Sequence, residues 1–493
     1  MIKQADTSPA SSSPWVKAPT PLISVPLLFL GAILGLALAS RLWYGSFIID
    51  DAYITFRYAR NLAEGLGLVY NPDGQRVLGT TTPLFTLLLA LFNLSGLSLE
   101  GVSLWLSIFS DWATIGLLYG LGRRLNAPGI GLMAGMLVAL WPDYLNYAVS
   151  GMETSLYTAL LLGSLYLYVR RSYSLSGLLL ALLVLTRPDG LLMVIALFGH
   201  YLLRERRLPW HMALAFAPLP LLWAAFATFY FGSPVSQSLV SKAAGVDATP
   251  AESFLQLLIF LNQSSKPILT VLAALGIFTI LRGQAYKFLR LPLAWWLLYC
   301  VAFISQGAFH LFPWYYIPLL PFYFMFAATG LIGLSQPLAQ FVQTGRGRLL
   351  VRAGIGLLAG LTIYGLFVLV GNNKTELAES QSGREVLYRE VASRLRPQLG
   401  PNEQIATKEI GTIGYFCRCQ IYDLAGLVTP EVLKQPELTL LQKTRPAFIL
   451  TYNNLLKPAT LESEWLHQNY EKAEVHPVQI WGQQEFYVFR RTN

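Results

Sequence analysis

Charged side chains are scarce in this sequence. Asp, Glu, Lys and Arg make up 13% of 493 residues, about half the share of an ordinary soluble chain. They are also unevenly spread: residues 372–493 carry 28 of the 63, and the first 371 residues carry only 35. Hydrophobic residues reach 54%. A soluble enzyme and a disordered scaffold are excluded, and what remains is a polytopic membrane region followed by one domain of ordinary polarity. Cysteine is nearly absent, with three residues, which excludes a secreted disulfide framework. Cys300 lies in an apolar segment, a normal place for a free buried thiol. Cys417 and Cys419 are two apart, a spacing too short for an unstrained disulfide, and no His pair or second Cys pair is near enough to build a metal site with them. The net charge is +9, but the basic residues sit at the ends of apolar segments. That is the pattern that orients membrane proteins, so no nucleic-acid partner is expected.

Residues 1–20, rich in Ser, Pro and Ala, read as a disordered cytoplasmic arm. Eleven apolar segments follow, at 21–40, 98–122, 128–145, 152–169, 173–187, 189–203, 208–230, 266–281, 291–308, 313–335 and 351–371, against the roughly 20 residues a crossing takes. The expected division is a transmembrane domain over 21–371, whose first external loop is 41–97, and a soluble domain over 372–493. Fifteen Lys and Arg fall on one side of the membrane region, among them Arg123, Arg170 and Arg204, and seven on the other. This asymmetry predicts a multi-pass plasma (inner) membrane protein with a cytoplasmic N-terminus and an extracytoplasmic C-terminal domain. Nearly all acidic residues of the membrane region map to the external side, and only Asp111 falls within a span. A proton-coupled transporter would place ionisable groups near midplane and show repeated halves. Neither feature is present, so the chemistry is expected at the external face.

The first external loop opens with Asp50-Asp51-Ala52-Tyr53-Ile54-Thr55-Phe56-Arg57 and runs to Gly65. At about 100° per residue, Asp50, Tyr53, Arg57, Arg60, Asn61 and Glu64 share one stripe, and Ala52, Phe56, Ala59 and Ala63 the opposite face. The pattern predicts an amphipathic helix on the membrane surface, ended by Gly65. One aspartate is expected to cap this helix or favour its positive end, leaving the other free for catalysis. Thr80-Thr81-Thr82-Pro83 then reads as a cap followed by proline at the first helical position, and Leu84–Phe92 as a second surface or re-entrant helix.

A first span, an external aspartate pair and two surface helices before the second span resemble the GT-C glycosyltransferases, which take a sugar from a polyprenyl-phosphate carrier at the external leaflet. The string from Asp50 through Leu62 to Tyr70-Asn71 resembles more closely the bacterial branch containing mycobacterial terminal arabinofuranosyltransferases. So do Gly151-Met152-Glu153-Thr154, Leu185 to Gly190, Ser233-Pro234 to Lys242, His310 to Pro318, Ile410 to Tyr415 and Asp423 to Leu427. The resemblance implies a polytopic α-helical membrane protein of GT-C type, with about eleven transmembrane helices and a C-terminal extracytoplasmic small α/β domain. It implies transfer of a monosaccharide from a polyprenyl-phosphate donor to a cell-envelope glycan or glycolipid, by inverting single displacement, with arabinofuranosyl transfer as one form.

Such a reaction needs a base for the acceptor hydroxyl. The family's first loop carboxylate matches Asp50, with Asp51 as the alternative, and Glu153 could orient the acceptor or assist. The leaving phosphate needs cations or donors: Lys242 first, then His310, Tyr316, Arg187 and Arg57. Trp314 and Tyr53 are candidates for acceptor contact. Plainer readings stand beside these: an aromatic belt for Trp314, Tyr315 and Tyr316, an Arg187–Asp189 pair serving structure, a snorkelling Arg57, and a helix-end role for Glu153. Metal dependence is left open: no cofactor is certain, and Asp50 and Asp51 could together hold a divalent cation. The rival readings are a lipid-linked glycan flippase, which would need polar residues along an interior path, and an inactive carbohydrate-binding homologue. In the soluble domain a helix is expected at Arg384–Leu399, β-runs at Gln404–Thr407, Ile413–Tyr422, Phe448–Tyr452 and Phe486–Arg490, and a helix near Leu461–Asn469. Trp465 and Trp481 read as core.

Overall fold

The computed structural model describes residues 25–492, apart from 246–247, 263–266, 311, 342–344, 454 and 480–482. The expected arm at 1–20 and Trp481 therefore lie outside the described residues, as does the side chain of His310. Helix α1 (Val25–Tyr44) leads into α2 (Asp50–Ala63) and α3 (Pro83–Asn93) of the first loop. The bundle continues with α4 (Leu99–Arg124), α5 (Pro128–Leu140), the short α6 (Pro142–Ala148), α7 (Thr154–Val169), α8 (Tyr173–Thr186) and α9 (Leu191–Glu205). Then come α10 (Trp210–Phe216), α11 (Pro218–Phe231), α12 (Gln237–Ala244), α13 (Pro250–Asn262), α14 (Pro267–Arg282), α15 (Arg290–Ser305), α16 (Leu320–Phe341) and α17 (Gly345–Leu395).

Among the described residues, helix runs through each expected span. By length and apolarity alone, five runs could cross a bilayer among the described residues (Val25–Tyr44, Leu99–Arg124, Trp210–Phe231, Lys287–Ser305 and Pro313–Leu334), or six if α13 and α14 make one span. The shortfall from eleven has a local cause. Helices such as α5, α7 and α8 have 13, 16 and 14 residues, cut short by prolines at 128, 142 and 188 and the left-handed Arg171. The outer surface is apolar, with Phe229, Leu203, Leu214 and Ile268 all strongly exposed, as a lipid-facing bundle requires. Inside, α14 and α16 approach so closely that a Cβ on Gly276 would overlap the Phe326 carbonyl, and one on Gly330 the Leu272 carbonyl.

The single acidic residue expected within a span has a partner there. The Arg41 guanidinium donates to the Asp111 carboxylate at 2.9 Å and to the carbonyls of Ala139 and Val138, while the Tyr144 hydroxyl donates to the other Asp111 oxygen at 3.1 Å. Arg41 and Asp111 are fully buried, and every strong polar group of the pair is satisfied from within the bundle.

Beyond residue 371 the chain stays helical, because α17 runs unbroken to Leu395. The C-terminal domain then forms β1 (Gln404–Thr407), α18 (Gly411–Cys417), β2 (Gln420–Asp423), α19 (Glu437–Thr444), β3 (Phe448–Tyr452), α20 (Pro458–Leu461), α21 (Glu464–Asn469), β4 (Tyr470–Gln479) and β5 (Gln483–Arg491). The sheet order is β2-β1-β3-β5-β4, with β1 parallel to β2 and β3 and the β5 pairings antiparallel. This is the expected small α/β domain with two corrections. The β-run anticipated over Ile413–Tyr422 is helix up to Cys417 and strand only from Gln420, because the left-handed Arg418 breaks it. Strand β4, with its charged alternation, was not anticipated. Cys417 and Cys419, expected to remain unbridged, form a disulfide across that same turn.

Candidate functional site

Helix α2 has two buried faces. Ala52, Phe56 and Ala59 pack on Phe85, Leu89, Val102 and Met152 of the bundle end. The polar stripe, expected to lie on a membrane surface, is instead roofed by α18 of the C-terminal domain. Arg57 donates to the carbonyls of Tyr70 (2.7 Å), Gly414 (2.7 Å) and Cys419 (2.7 Å). Arg60 donates to the Tyr415 carbonyl at 2.7 Å, and Tyr53 packs against Tyr415 and Phe416. Arg57 is thus consumed by backbone acceptors and buried, so it neither snorkels nor faces a phosphate; Tyr53 is likewise buried away from any opening.

The two aspartates have opposite surroundings. Neither caps α2, whose N-cap is Ile49 without a side-chain bond. Asp50 turns toward α18 and accepts from the Gly411 N–H at 2.9 Å and the Thr412 N–H at 2.7 Å. The fit is close enough that a Cβ on Gly411 would overlap the Asp50 backbone carbonyl. Burial pushes the Asp50 carboxyl upward, against the Thr412 N–H and the Arg384 charge. Behind it, Glu385 is raised to about 7 and Glu409 to about 8, first by burial and then by Asp50, with Arg384 opposing. Asp51 points the other way, one-third exposed, and pairs with Lys242 at 3.2 Å.

Asp51 and Lys242 line a cavity of about 540 Å³. Its polar lining is Asp51, Lys242, Glu153, Arg187, Asp189 and the hydroxyl run Thr80-Thr81-Thr82; its apolar lining includes Leu191, Leu239, Ala302, Phe303 and Phe312, with the aromatic residues Trp314 and Tyr315. The Lys242 ammonium lies 4.9 Å from the Phe312 ring centre and 5.1 Å from that of Trp314. Burial would lower its pKa, but Asp51, with Tyr315 and Glu153, outweighs this and leaves it raised. Arg187 forks onto Asp189 at 3.1 and 3.0 Å and lies 3.8 Å from Glu153. Its Nη1 is buried and makes no hydrogen bond. Glu153 occupies the N-cap position of α7 without capping it.

Among the expected site residues, then, Asp51, Glu153, Lys242, Arg187 and Trp314 come together around one cavity. Asp50, Arg57 and Tyr53 lie in the joint with the C-terminal domain. Tyr316 is buried between Phe260 and Phe309, its hydroxyl donating to the Phe309 carbonyl at 2.7 Å, so it does not reach the cavity. The arrangement also denies the aspartate pair a shared cation. The Asp50 oxygens are taken by backbone N–H groups and Asp51 faces a lysine, and among the described residues no cluster of three or more His, Cys, Asp or Glu is placed to hold a metal. The threonine run, Phe312 and Leu427 were not singled out as cavity residues from sequence; three consecutive hydroxyls beside a helix start were the visible signal.

Three comparisons bear on this arrangement. Residues 375–489 match a family described as a domain of unknown function (DUF8728). A terminal β-(1→2)-arabinofuranosyltransferase of Mycobacterium tuberculosis (strain ATCC 25618 / H37Rv) is 30% identical over 284 residues, covering 51% of this chain and 44% of that one. The match thus spans less than half the length of that relative. Among solved structures, ArnT from Cupriavidus metallidurans bound to undecaprenyl phosphate superposes with a TM-score of 0.60 at 15% identity, covering 94% of this chain and 97% of that one. The Archaeoglobus fulgidus oligosaccharyltransferase does so at 0.57 and 11% identity, covering 87% and 69%. The chain shares the fold of these membrane proteins, and the GT-C resemblance read from its sequence is borne out.

Proposed function

We propose that this protein is a membrane glycosyltransferase that moves a monosaccharide from a polyprenyl-phosphate carrier to a cell-envelope glycan or glycolipid, with arabinofuranosyl transfer as one form of the reaction. The observation that carries the reading is a cavity lined by both apolar and ionisable side chains. The apolar lining suits an isoprenoid chain, and the polar lining offers the one carboxylate of the aspartate pair that is open, together with a lysine. The likeness to ArnT bound to undecaprenyl phosphate supports the same ligand class.

The proposed reaction is a single inverting displacement. Asp51, rather than Asp50, takes the proton of the acceptor hydroxyl as that oxygen bonds to the anomeric carbon, and the carrier phosphate leaves with the bonding electrons. Lys242, poised between Asp51 and the open cavity, trades the carboxylate for the phosphate and so frees the base. The Nη1 of Arg187, which makes no hydrogen bond and lies 3.8 Å from Glu153, supplies a second donor, and Glu153 orients the acceptor. Trp314 offers a ring face to a sugar. The membrane domain is read as eleven spans with the cavity at the external leaflet of the plasma membrane, and residues from 372 onward as extracytoplasmic.

Purified protein offered a panel of short-chain polyprenyl-phosphate sugars with mixed glycan acceptors tests this, with mass spectrometry reading the product. Sugar transfer from at least one donor is the expected result. Carrier binding without transfer from any donor would favour a flippase or an inactive binding homologue instead.

A further inference from the structure

The C-terminal domain touches the cavity through one loop, and that loop holds the helix carrying Lys242. Helix α12 has eight residues, too few to be stable alone, and its Leu239 and Val240 are exposed. Two sets of bonds fix it. From the first loop, the Leu78 carbonyl accepts from the Gln237 N–H (2.8 Å) and the Ser236 hydroxyl (3.1 Å), and the Gly79 carbonyl accepts from Ser238. From the C-terminal domain, the Gly426 carbonyl accepts from Gln237 Nε2 at 3.1 Å and the Ala425 carbonyl from the Ser241 hydroxyl at 2.6 Å. Ser241 directly precedes Lys242, yet neither Ser241 nor Gln237 lines the cavity.

The loop is itself rigidly shaped. Fully buried Asp423 accepts from the N–H groups of Ala425 and Val428, each at 2.7 Å, and its own N–H reaches the Thr429 hydroxyl at 3.2 Å. Gly426 adopts φ 78°, which a residue with a Cβ takes at a cost. These bonds turn the Ala425 and Gly426 carbonyls toward α12 and place Leu427 in the cavity wall.

We infer that the domain over residues 375–489, which matches a family of unknown function, supplies part of the frame that holds Lys242 at this cavity. Its Asp423–Thr429 loop, through Gln237 and Ser241, positions the Lys242 ammonium against Asp51. Gln237, Ser241 and Asp423 are positioning residues, and the domain acts on the donor side of the site. The inference rests on the proposed function for the ligand it names, but its first readout needs no ligand.

The test uses the full-length protein in detergent or nanodiscs, comparing wild type with Gln237→Ala/Ser241→Ala, with Ser241→Ala alone and with Ser241→Thr. The rate of Lys242 acylation by an amine-reactive ester is followed by mass spectrometry, with exposed Lys457 as internal standard. Affinity for a short-chain polyprenyl phosphate is measured on the same samples. Losing both bonds should speed Lys242 acylation severalfold and weaken carrier binding by about tenfold, at an unchanged melting temperature, and Ser241→Thr should restore wild-type behaviour. Should the double variant fail to fold, Ser241→Ala should show a smaller change of the same sign. Unchanged Lys242 reactivity in a folded variant overturns the inference, and so does a defect confined to acceptor KM, which would make the domain an acceptor module. Absence of carrier binding by the wild type would count against the proposed function and leave the acylation result to decide the positioning.

Discussion

Asp50 and Asp51 are adjacent in sequence and about 100° apart around a helix, which is enough to give them different work. Asp50 pins α18 to α2 through two backbone N–H groups, whereas Asp51 meets the cavity. Asp50→Asn should therefore lower stability by about 2 kcal/mol, the range for hydrogen bonds to a charged group, read as a lower melting temperature. Asp51→Asn should leave that temperature unchanged and slow transfer by about 100- to 10,000-fold. The pair itself was legible in the sequence, and so was the candidacy of Glu153, Lys242 and Arg187. Which aspartate was open was not legible, because helical periodicity says where a residue points but not what will be packed there. The stripe carrying Asp50, Arg57 and Arg60 looked like a solvated face; it is a docking surface for residues more than 350 positions away in sequence. The disulfide between Cys417 and Cys419 escaped the reading for a related reason, since spacing alone does not report the left-handed turn at Arg418.

At the scale of elements, helix existence followed from apolar runs and capping residues, and most errors fell where a turn residue intervened. The buried pair joining α1 and α4 shows what periodicity cannot supply. Asp111 stood out as the lone acid within a span, yet its partner, Arg41, looked like a flanking charge. Arg41→Met should cost about 3–5 kcal/mol by leaving Asp111 buried and unpaired, and Arg41→Met/Asp111→Leu should recover part of that loss in thermal unfolding in detergent. A double variant no more stable than the single one would show that the pair is incidental. In the same way, Gly276→Ala should cost about 1–3 kcal/mol by forcing α14 away from α16, whereas Gly31→Ala on α1, where a Cβ meets nothing within 4 Å, should be silent in the same assay.

For the whole molecule, the joint between the first loop and the C-terminal domain carries a pH dependence of defined sign. Asp50, Glu385 and Glu409 converge there with Arg384 as the cation and Thr412 as a hydrogen-bond donor. Glu385 at about 7 and Glu409 at about 8 lie above the ordinary value of 4.5, so the folded chain holds protons that the unfolded chain releases. Their contribution is complete below that ordinary value and is lost as pH rises through 7 to 8. The melting temperature should fall between about pH 5 and about pH 9, and Glu385→Gln should flatten the fall; a melting temperature that rises over this range would contradict the assignment. Charge density leads one to expect a membrane region and a soluble domain, but it says nothing of the joint between the first loop and the C-terminal sheet domain, which is made of long-range backbone contacts. The account as a whole turns on Asp51 as the base of a sugar transfer. Its most direct measurement is the single-turnover transfer rate of wild type, Asp51→Asn and Asp50→Asn, with carrier-phosphate affinity recorded on the same samples. The account predicts that Asp51→Asn keeps carrier binding and loses about 100- to 10,000-fold in rate, while correctly folded Asp50→Asn stays close to wild type. A well-folded Asp51→Asn protein that turns over normally would contradict it.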